Sequence, residues 1–274
     1  MRILWIGGSH PRHLYYANRL NEAFGLAGAI IEWRENILPE PPEYLSATDR
    51  NNWTRHFTNR QNKETAYFDV QHPPQCDTLT VNHERLNSPE SVGFVKQIRP
   101  DLVLVFGCGM IRDPLASEVP HAVNMHLGLS PRYRGAATLF WPFYFLEPQW
   151  AGVTFHYIVS EPDAGQIIHQ VRPKLYRDDT IHDIGCRAVL AATEAALQLV
   201  ECSGIWRTWK QKATGKNFLA SDFKAQHLRM IYNVYQDDIV RAYLDGELPG
   251  REPKLREQRT NLNRARLFRS NNDG

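Results

Sequence analysis

Asn124 and His126 are separated by one residue and follow a short apolar run. Side chains two residues apart on a strand point to the same face, so this spacing would bring an amide and an imidazole together. Both groups can donate hydrogen bonds to a carbonyl oxygen that becomes negative during a reaction. A capping asparagine and a buried structural histidine would account for the pattern equally well.

A second candidate is Asp163, which lies in the segment SEPDAGQII between two strand-like runs. A carboxylate at this place can orient a histidine and raise its basicity, or accept a proton through water. Aspartate is also common in turns for purely local reasons. Taken alone, Asp163 is therefore compatible with a catalytic role and with a structural one.

The segment GGSH at positions 7–10 joins a strand-like run to a helical pattern. Backbone N–H groups at a helix N-terminus can hold a phosphate, and His10 and Arg12 favour an anionic ligand nearby. The segment does not complete the dinucleotide-binding pattern, because Pro11 and Arg12 follow it, and Glu32 is the one candidate for a ribose-binding acid. A plain Rossmann oxidoreductase is therefore disfavoured, and a turn that requires glycine is the alternative.

Other classes of site find little support. The chain shows no HExxH or CxxC spacing, so we predict no metal, and Ser130 lacks the neighbours of a nucleophile elbow. The formal net charge of +2 provides no general attraction for nucleic acid. No apolar run approaches the roughly 20 residues that span a bilayer, and the N-terminus lacks signal-peptide features. We expect a cytoplasmic protein without nucleic-acid or membrane partners.

Hydrophobic periodicity predicts an α/β fold with a parallel sheet, because the chain opens with a strand, a glycine-rich turn, a helix and a second strand. The predicted strands cover residues 2–6, 26–33, 101–106, 122–125, 152–158 and 165–172. The predicted helices cover residues 14–24, a stretch that includes 53–60, and residues 89–98, 181–202 and 221–243. Thr180 and Ser221 are the predicted caps of the last two helices.

The predicted organisation is a catalytic domain of residues 1–205 followed by a C-terminal extension of residues 206–274. Within the extension, residues 249–274 are polar and basic, and we expect a surface wrap or a disordered tail. The last helix has an aromatic face, which could form a homodimer contact or fold back on its own domain. Ligands of open α/β sheets bind beyond the carboxyl ends of the strands, so the functional loops should follow the central strands.

The motifs also resemble, in their order, a known family of formyltransferases that use 10-formyltetrahydrofolate. The family signature is N-x-H-x-S-x-L-P-x-x-x-G, followed by a G-V/I-T-x-H strand and a D-x-G turn. The matching residues are Asn124-x-His126, Pro131, Tyr133-Arg134-Gly135, Val153-Thr154-x-His156 and Asp163-x-Gly165. The resemblance covers roughly residues 1–205 and implies a Rossmann-like, mostly parallel sheet with a small C-terminal helical extension.

By this resemblance, Asn124, His126 and Asp163 are the catalytic residues. An amine would attack the formyl carbon of 10-formyltetrahydrofolate, while Asn124 and protonated His126 stabilise the oxyanion. Asp163 would orient His126 and help to move a proton from the amine to the leaving nitrogen. The implied cofactor-binding residues are Gly109, Met110, Ile111, Val159, Ser160, Glu161 and Asp163. The predicted substrate-binding residues are His10, Arg12, Arg132, Tyr133, Arg134 and Gly135.

The substrate is inferred from departures and from the C-terminal region. Gly128 and Ser130 replace Ser and Leu of the common signature, as in the variant that resembles sugar formyltransferases. The short extension, with its Lys216-x-Phe218 and Asp222-Phe223 segment, also resembles the amino-sugar enzymes and favours a nucleotide-linked amino sugar for surface-glycan biosynthesis. Glycinamide ribonucleotide, an N-hydroxyornithine-type amine and methionyl-tRNA stay open as acceptors, as do hydrolysis of the cofactor and a non-catalytic module that binds folate or a nucleotide sugar.

Overall fold

A computed structural model describes residues 1–33, 38–69, 72–119, 121–212, 215–248 and 250–258. Its strands are β1 (Ile3–Gly8), β2 (Leu26–Glu32), β3 (Thr78–Val81), β4 (Leu102–Phe106), β5 (Val123–His126), β6 (Tyr133–Gly135), β7 (Val153–Tyr157), β8 (Ile167–Val171) and β9 (Lys216–Phe218). Its α-helices are α1 (Pro11–Phe24), α2 (Ala47–Phe68), α3 (Pro89–Ile98), α4 (Leu115–Glu118), α5 (Trp141–Tyr144), α6 (Ile181–Glu201) and α7 (Ile239–Leu244).

Seven strands form the central sheet in the order β3-β2-β1-β4-β5-β7-β8. The pairs from β3 to β5 are parallel, whereas β7 pairs antiparallel with β5 and with β8. The predicted Rossmann-like, mostly parallel α/β sheet is therefore confirmed. The direction of winding reverses between β1 and β4, and such a reversal opens a crevice at the carboxyl ends of the strands.

The alternation of side chains along β1 supplies both faces of the core. Ile3 and Trp5 pack in the hydrophobic cluster that contains residues of α1 and α6. Leu4 and Ile6 pack in a second cluster, with residues of α3 and the α4 region. All four side chains are fully buried, and burial of such a side chain contributes roughly 2 kcal/mol. This two-faced burial explains why the central strands are almost continuously apolar.

The helix α6 begins where the sequence predicted, because Thr180 and Asp183 form a reciprocal capping box. The Asp183 N–H donates to Thr180 Oγ1 over 3.3 Å, and the Thr180 N–H donates to Asp183 Oδ2 over 3.1 Å. Helices α1, α2 and α6 pack against one another on one face of the sheet. No helix within the described ranges is both long enough and apolar enough to cross a membrane.

The prediction of a single C-terminal helix that begins at a Ser221 cap is wrong. The region instead contains 3-10 turns at Ala220–Asp222 and Ala225–His227, a π-helical turn at Met230–Val234, and the short α7. The helix is interrupted at Gln236 and Asp237, whose φ angles of 54° and 70° are left-handed. Asp237 Oδ1 accepts a hydrogen bond from the Ile181 N–H over 3.1 Å, so a tertiary contact at the start of α6 overrides the helical periodicity.

Three strands, β3, β6 and β9, were not predicted from the sequence. The edge strand β3 is short and largely polar, and β6 and β9 pair only with each other in a separate two-stranded sheet. This small sheet joins the loop after β5 to the C-terminal region. Behind it, a third apolar cluster combines residues of α5 and the first turn of α6 with the segment 228–248.

Residues 250–258 run along the edge strand β8, in agreement with the predicted surface wrap. The Gln170 N–H donates to the Arg256 carbonyl over 2.7 Å, and Gln258 Nε2 donates to the Ile168 carbonyl over 2.6 Å. Residues 259–274 of the predicted tail lie outside the described residues. The division into a domain of residues 1–205 and an extension of residues 206–274 stays a prediction.

Candidate active site

The amide of Asn124 and the imidazole of His126 both line one cavity at the carboxyl end of β5. Strand β5 lies between β4 and β7, and its register sets Asn124 opposite His156 and His126 opposite Thr154. The predicted convergence of the two side chains therefore occurs. Because β5 is flanked on both sides, its backbone is fixed, and so are the positions from which the two side chains reach the cavity.

The loop after β5 is fixed by Thr154. Its hydroxyl donates to the Gly128 carbonyl over 2.7 Å and accepts from the Ser130 N–H over 3.0 Å, while Gln170 Nε2 donates to the Ser130 carbonyl over 2.7 Å. A Cβ at position 128 would lie 2.6 Å from Nε2 of His126. The tight fit of this loop against the histidine thus explains glycine at the position where the common signature has serine.

Asp163 meets the β5 residues from the loop that follows β7. Its φ of 50° is left-handed, a conformation that aspartate tolerates better than most residues. The Gly135 N–H donates to Asp163 Oδ2 over 2.8 Å, and Gln211 Nε2 donates to the Asp163 carbonyl oxygen over 2.8 Å. Side chain and backbone of Asp163 are therefore both anchored by residues distant in sequence.

The three predicted catalytic side chains form one cluster. His126 Nδ1 lies 3.3 Å from Asp163 Oδ2, and Asn124 Nδ2 lies 3.4 Å from Asp163 Oδ1. His126 Nε2 donates to the Tyr133 carbonyl over 2.9 Å, which fixes a proton on that nitrogen. Nδ1 can then donate to Asp163 only when the ring is protonated, so the geometry matches an imidazolium beside a carboxylate.

Burial and the neighbouring charges act in opposite directions on the pKa values of the cluster. Burial lowers the pKa of His126, and the Asp163 carboxylate counteracts that shift. Burial alone would raise the pKa of Asp163, but the charge of His126 and contacts with His156 hold that pKa well below its usual value. Asp163 is therefore ionised at neutral pH, and its charge offsets only part of the burial effect, so the pKa of His126 stays below its ordinary value.

His156 is the residue of this cluster to which the sequence assigned no role. Its Nδ1 donates to the Tyr157 carbonyl over 2.9 Å, and its Nε2 lies 3.3 Å from both Asp163 Oδ1 and Asn124 Nδ2. A neutral ring accepts from Asn124 there, and a protonated ring donates to Asp163. The strand motif contained this histidine, and the antiparallel pairing of β5 with β7 is what brings it to Asn124.

The cavity has a volume of about 590 Å³ and extends from the cluster of Asn124, His126 and Asp163 to three helices and the C-terminal region. Besides the cluster, its lining includes Arg12, His13, His56, Phe57, Arg60, Glu64, Phe106, Gly107, Cys108, Gly135, Phe140, Ile181, His182, Cys186, Ala220 and Phe223. Of the residues that α2 and α6 contribute, none was predicted from the sequence. Residues of α2 and residues after β9 therefore line the same wall of the cavity, although they lie more than a hundred positions apart in the sequence.

The loop after β4 carries three of the predicted cofactor-binding residues. The Gly109 N–H donates over 2.5 Å to Oε2 of Glu32, whose Oε1 lies 2.6 Å from Nδ1 of His83. Glu32 therefore fixes this loop, and its side chain is occupied by protein contacts. Met110 is 43% exposed, whereas Ile111 is buried in the core. Gly107 and Cys108, rather than these three residues, line the cavity.

The loop after β7 carries the remaining predicted cofactor-binding residues, of which Asp163 lines the cavity. Val159 is 47% exposed, and Ser160 is exposed as well. Glu161 accepts a hydrogen bond from Nη1 of the buried Arg134 over 3.1 Å. This ion pair ties the loop after β7 to β6.

The predicted substrate-binding residues divide into two groups. Arg12 and Gly135 line the cavity, and His10 is buried against His13, with ring centroids 5.4 Å apart. Arg132 is instead paired with Glu147, to which both its Nε and its Nη2 donate.

The other members of the second group also face away from the cavity. The buried Tyr133 ring directs its hydroxyl to Glu147, and Arg134 engages Glu161. Neither Tyr133 nor Arg134 contributes to the cavity lining in the described part of the chain. Across the described ranges there is no group of three or more His, Cys, Asp or Glu side chains arranged to hold a metal ion.

The sequence of the chain matches a known protein family. The family described as formyl transferase matches residues 48–200, which is more than half of the chain. The chain therefore belongs to the formyl transferase family, and it is a formyl-group transferase. The predicted resemblance to formyltransferases is confirmed.

The fold is also shared with solved structures at low sequence identity. Rv3404c from Mycobacterium tuberculosis is similar with a TM-score of 0.54 and 19% identity, over 81% of this chain and 77% of the other. PseJ from Anoxybacillus kamchatkensis, a formyltransferase in complex with UDP-4,6-dideoxy-4-formamido-L-AltNAc and tetrahydrofolate, has a TM-score of 0.51 and 18% identity, over 88% and 97% of the two chains. Phosphoribosylglycinamide formyltransferase from Anaplasma phagocytophilum has a TM-score of 0.53 and 16% identity, over 80% and 97%. These likenesses establish the fold.

Proposed function

We propose that the protein transfers the formyl group of 10-formyltetrahydrofolate to the amine of a nucleotide-linked amino sugar. The observation that carries the proposal is the meeting of Asn124, His126 and Asp163 at the carboxyl end of β5, in a cavity that can admit a substrate. When an amine attacks a carbonyl carbon, the carbonyl oxygen becomes negative and the amine must lose a proton. An amide donor and an imidazolium can stabilise that oxygen, and an ionised carboxylate can accept the proton.

Each side chain has a definite task in this proposal. The formyl donor supplies an electrophilic carbonyl carbon. Asn124 holds only long contacts, of 3.3 and 3.4 Å, so its amide can turn to donate to the carbonyl oxygen of a substrate. His126 contributes positive charge beside that oxygen. Asp163 orients His126, favours its protonated form, and helps to move a proton from the attacking amine to the nitrogen of the departing tetrahydrofolate.

The loops on either side of the catalytic cluster fit a folate. Met110 and Val159 are large apolar side chains that stay substantially exposed, in the loops that follow β4 and β7, the two strands adjacent to β5. Exposed apolar side chains at a site commonly mark a ligand surface, and a flat pterin ring matches them. Backbone groups of residues 109–111 and 159–163 would hold the polar edge of the ring. The PseJ structure, which contains tetrahydrofolate, supports this choice of donor.

The acceptor is proposed from the wall of the cavity that lies beyond the catalytic cluster. Phe140 and Phe223 are in contact, with ring centroids 4.8 Å apart, and Phe57 lies 6.5 Å from Phe223. Aromatic side chains of this kind stack on the faces of sugars and bases. Phe223 belongs to the extension that resembles the amino-sugar enzymes, and the UDP-linked sugar in PseJ supports a nucleotide-linked sugar. The product would enter surface-glycan biosynthesis in the cytoplasm.

The test is a turnover assay with purified protein and 10-formyltetrahydrofolate. The acceptors offered are UDP-, dTDP- and GDP-linked amino sugars, glycinamide ribonucleotide, an N-hydroxyornithine-type amine and methionyl-tRNA. We expect one amino sugar to be formylated and His126→Ala to abolish the reaction. Formylation of another amine would preserve the chemistry and contradict the substrate, and release of tetrahydrofolate without an acceptor would indicate a hydrolase. A wild-type protein that binds folate without any turnover would be a binding module.

A further inference from the structure

A charge cluster from α1 and α2 lines the same cavity as the catalytic residues. Glu64 of α2 is almost fully buried and accepts a hydrogen bond from Nη1 of Arg12, in the first turn of α1, over 2.6 Å. The same carboxylate oxygen lies 3.6 Å from Nε of Arg60, one turn earlier in α2. Two guanidinium groups therefore contact the same carboxylate oxygen.

Both arginines remain open to the cavity. Their side chains are 22% and 24% exposed, and both line the cavity. Burial and the nearby charge of Arg12 lower the pKa of Arg60 to about 10, against the opposing effect of Glu64. An anion that entered the cavity between the two guanidinium groups would lessen their mutual repulsion.

Two histidines of the cavity lining lie next to the cluster. His56 and His182 line the cavity next to the cluster, and burial lowers the pKa of both, so they are neutral. Glu64 also keeps one buried oxygen, Oε2, without a hydrogen-bond partner among the residues that the structure describes. A buried carboxylate oxygen of this kind is costly unless a donor reaches it, and a hydroxyl of a ligand would supply one.

We propose that Arg12 and Arg60 bind a phosphate group of the acceptor substrate, and that Glu64 accepts a hydrogen bond from a hydroxyl of the same molecule. Guanidinium groups match phosphate in charge and in the geometry of paired hydrogen bonds. The inference rests on the proposed function, because the amine of this molecule must reach the catalytic cluster in the same cavity. The phosphate can come from the diphosphate of a nucleotide-linked sugar or from a phosphoribosyl group.

The experiment is a calorimetric titration of the full chain, without folate, with UDP, dTDP and ribose 5-phosphate. The variants are Arg12→Gln and Arg60→Gln. The matched control is Arg50→Gln, which changes an arginine of the same helix that donates to the Glu43 carbonyl and lies outside the cavity lining. We expect at least about 10-fold weaker binding for both cavity variants, as for the loss of a charged hydrogen bond, and no change for the control. Arg60→Lys should restore part of the affinity.

Tetrahydrofolate binding and the melting temperature are measured for each variant, so that a folding defect is recognised. Equal phosphate affinity in wild type and in either well-folded cavity variant overturns the proposal. So does a wild-type protein that binds none of the three ligands at millimolar concentration. Tight binding of UDP or dTDP over ribose 5-phosphate identifies the diphosphate as the source, and the reverse identifies the phosphoribosyl group. Phosphate binding without formylation of any amine would contradict the proposed function while supporting this site.

Discussion

His156 of β7 faces Asp163 across 3.3 Å, between Nε2 and Oδ1, while His126 of β5 faces the other oxygen of the same carboxylate at the same distance. Asp163 thus lies between two imidazole rings from adjacent antiparallel strands. A carboxylate held in this way is fixed in orientation as well as in charge, since each of its oxygens has a defined partner. The two histidines therefore contact one shared carboxylate.

Replacement of His156 by Gln is expected to lower kcat by at least about 10-fold, because Asn124 and Asp163 both lose a partner that orients them. The KM for the folate should change much less. Steady-state kinetics with a formylated acceptor measure both constants. His121→Gln provides the control, because His121 is exposed and outside the cavity lining. A kcat equal to that of wild type would show that His156 has only a structural role.

Replacement of Glu32 by Ala is expected to weaken folate binding. Glu32 receives the Gly109 N–H and contacts His83, so its loss frees the loop after β4 that we propose to hold the pterin. Glu32→Gln retains an oxygen that can accept from Gly109 and should recover most of the affinity. Fluorescence titration with tetrahydrofolate measures the difference. Equal tetrahydrofolate affinity in Glu32→Ala and wild type would show that the loop after β4 does not hold the cofactor.

The elements that were predicted correctly are those whose pattern is local. Strand β4 and helix α3 have uninterrupted apolar or periodic sequences, and the Thr180 cap of α6 is readable from four residues. The proximity of Asn124 and His126 was also predictable, because the two residues share a strand face. Asp163 was a candidate from its own turn, and the resemblance to a known family grouped it with the other two residues.

The rest depends on contacts between distant parts of the chain. His56 of α2 lies 2.9 Å from the Tyr232 hydroxyl, across 176 positions in the sequence, and this packing decides which face of α2 lines the cavity. Helix α2 is polar around most of its surface, so its pattern does not identify that face. Asp237 interrupts the predicted last helix for a similar reason, since its partner at Ile181 lies 56 positions away.

Asp237→Asn is expected to stabilise the protein increasingly as the pH rises. Burial raises the pKa of Asp237 from 3.8 to about 6, so the folded state prefers the protonated form. The resulting stability is fully present below about pH 4 and is lost as the pH rises through 6, with an upper limit of about 3 kcal/mol. Asparagine keeps the acceptor for Ile181 and tolerates the φ of 70°.

Urea denaturation of wild type and Asp237→Asn at pH 5, 6, 7 and 8 measures this difference. The gap in the free energy of unfolding should widen between pH 5 and 7 and then level off. Asp245→Asn is a suitable comparison, because Asp245 lies in the same region but forms an exposed ion pair with Arg177. A gap that is constant with pH would mean that Asp237 stays ionised in the folded protein.

Gly135→Ala is expected to reduce both stability and activity. Gly135 has a φ of 88°, and an added Cβ would lie 2.1 Å from the Phe218 carbonyl oxygen, on the backbone of β9. The pairing of β6 with β9 would have to open, at a cost of about 2 kcal/mol or more in the free energy of unfolding. The same shift would withdraw the Gly135 N–H from Asp163 Oδ2, weakening the anchor of the carboxylate.

Thermal unfolding and kcat, measured together for Gly135→Ala, test the link between stability and activity. Gly204→Ala, at a φ of 89° with open space around its Cβ, isolates the backbone strain, so it should lose stability but keep its kcat. A loss of kcat in Gly204→Ala equal to that in Gly135→Ala would contradict the specific role of the Gly135 contact.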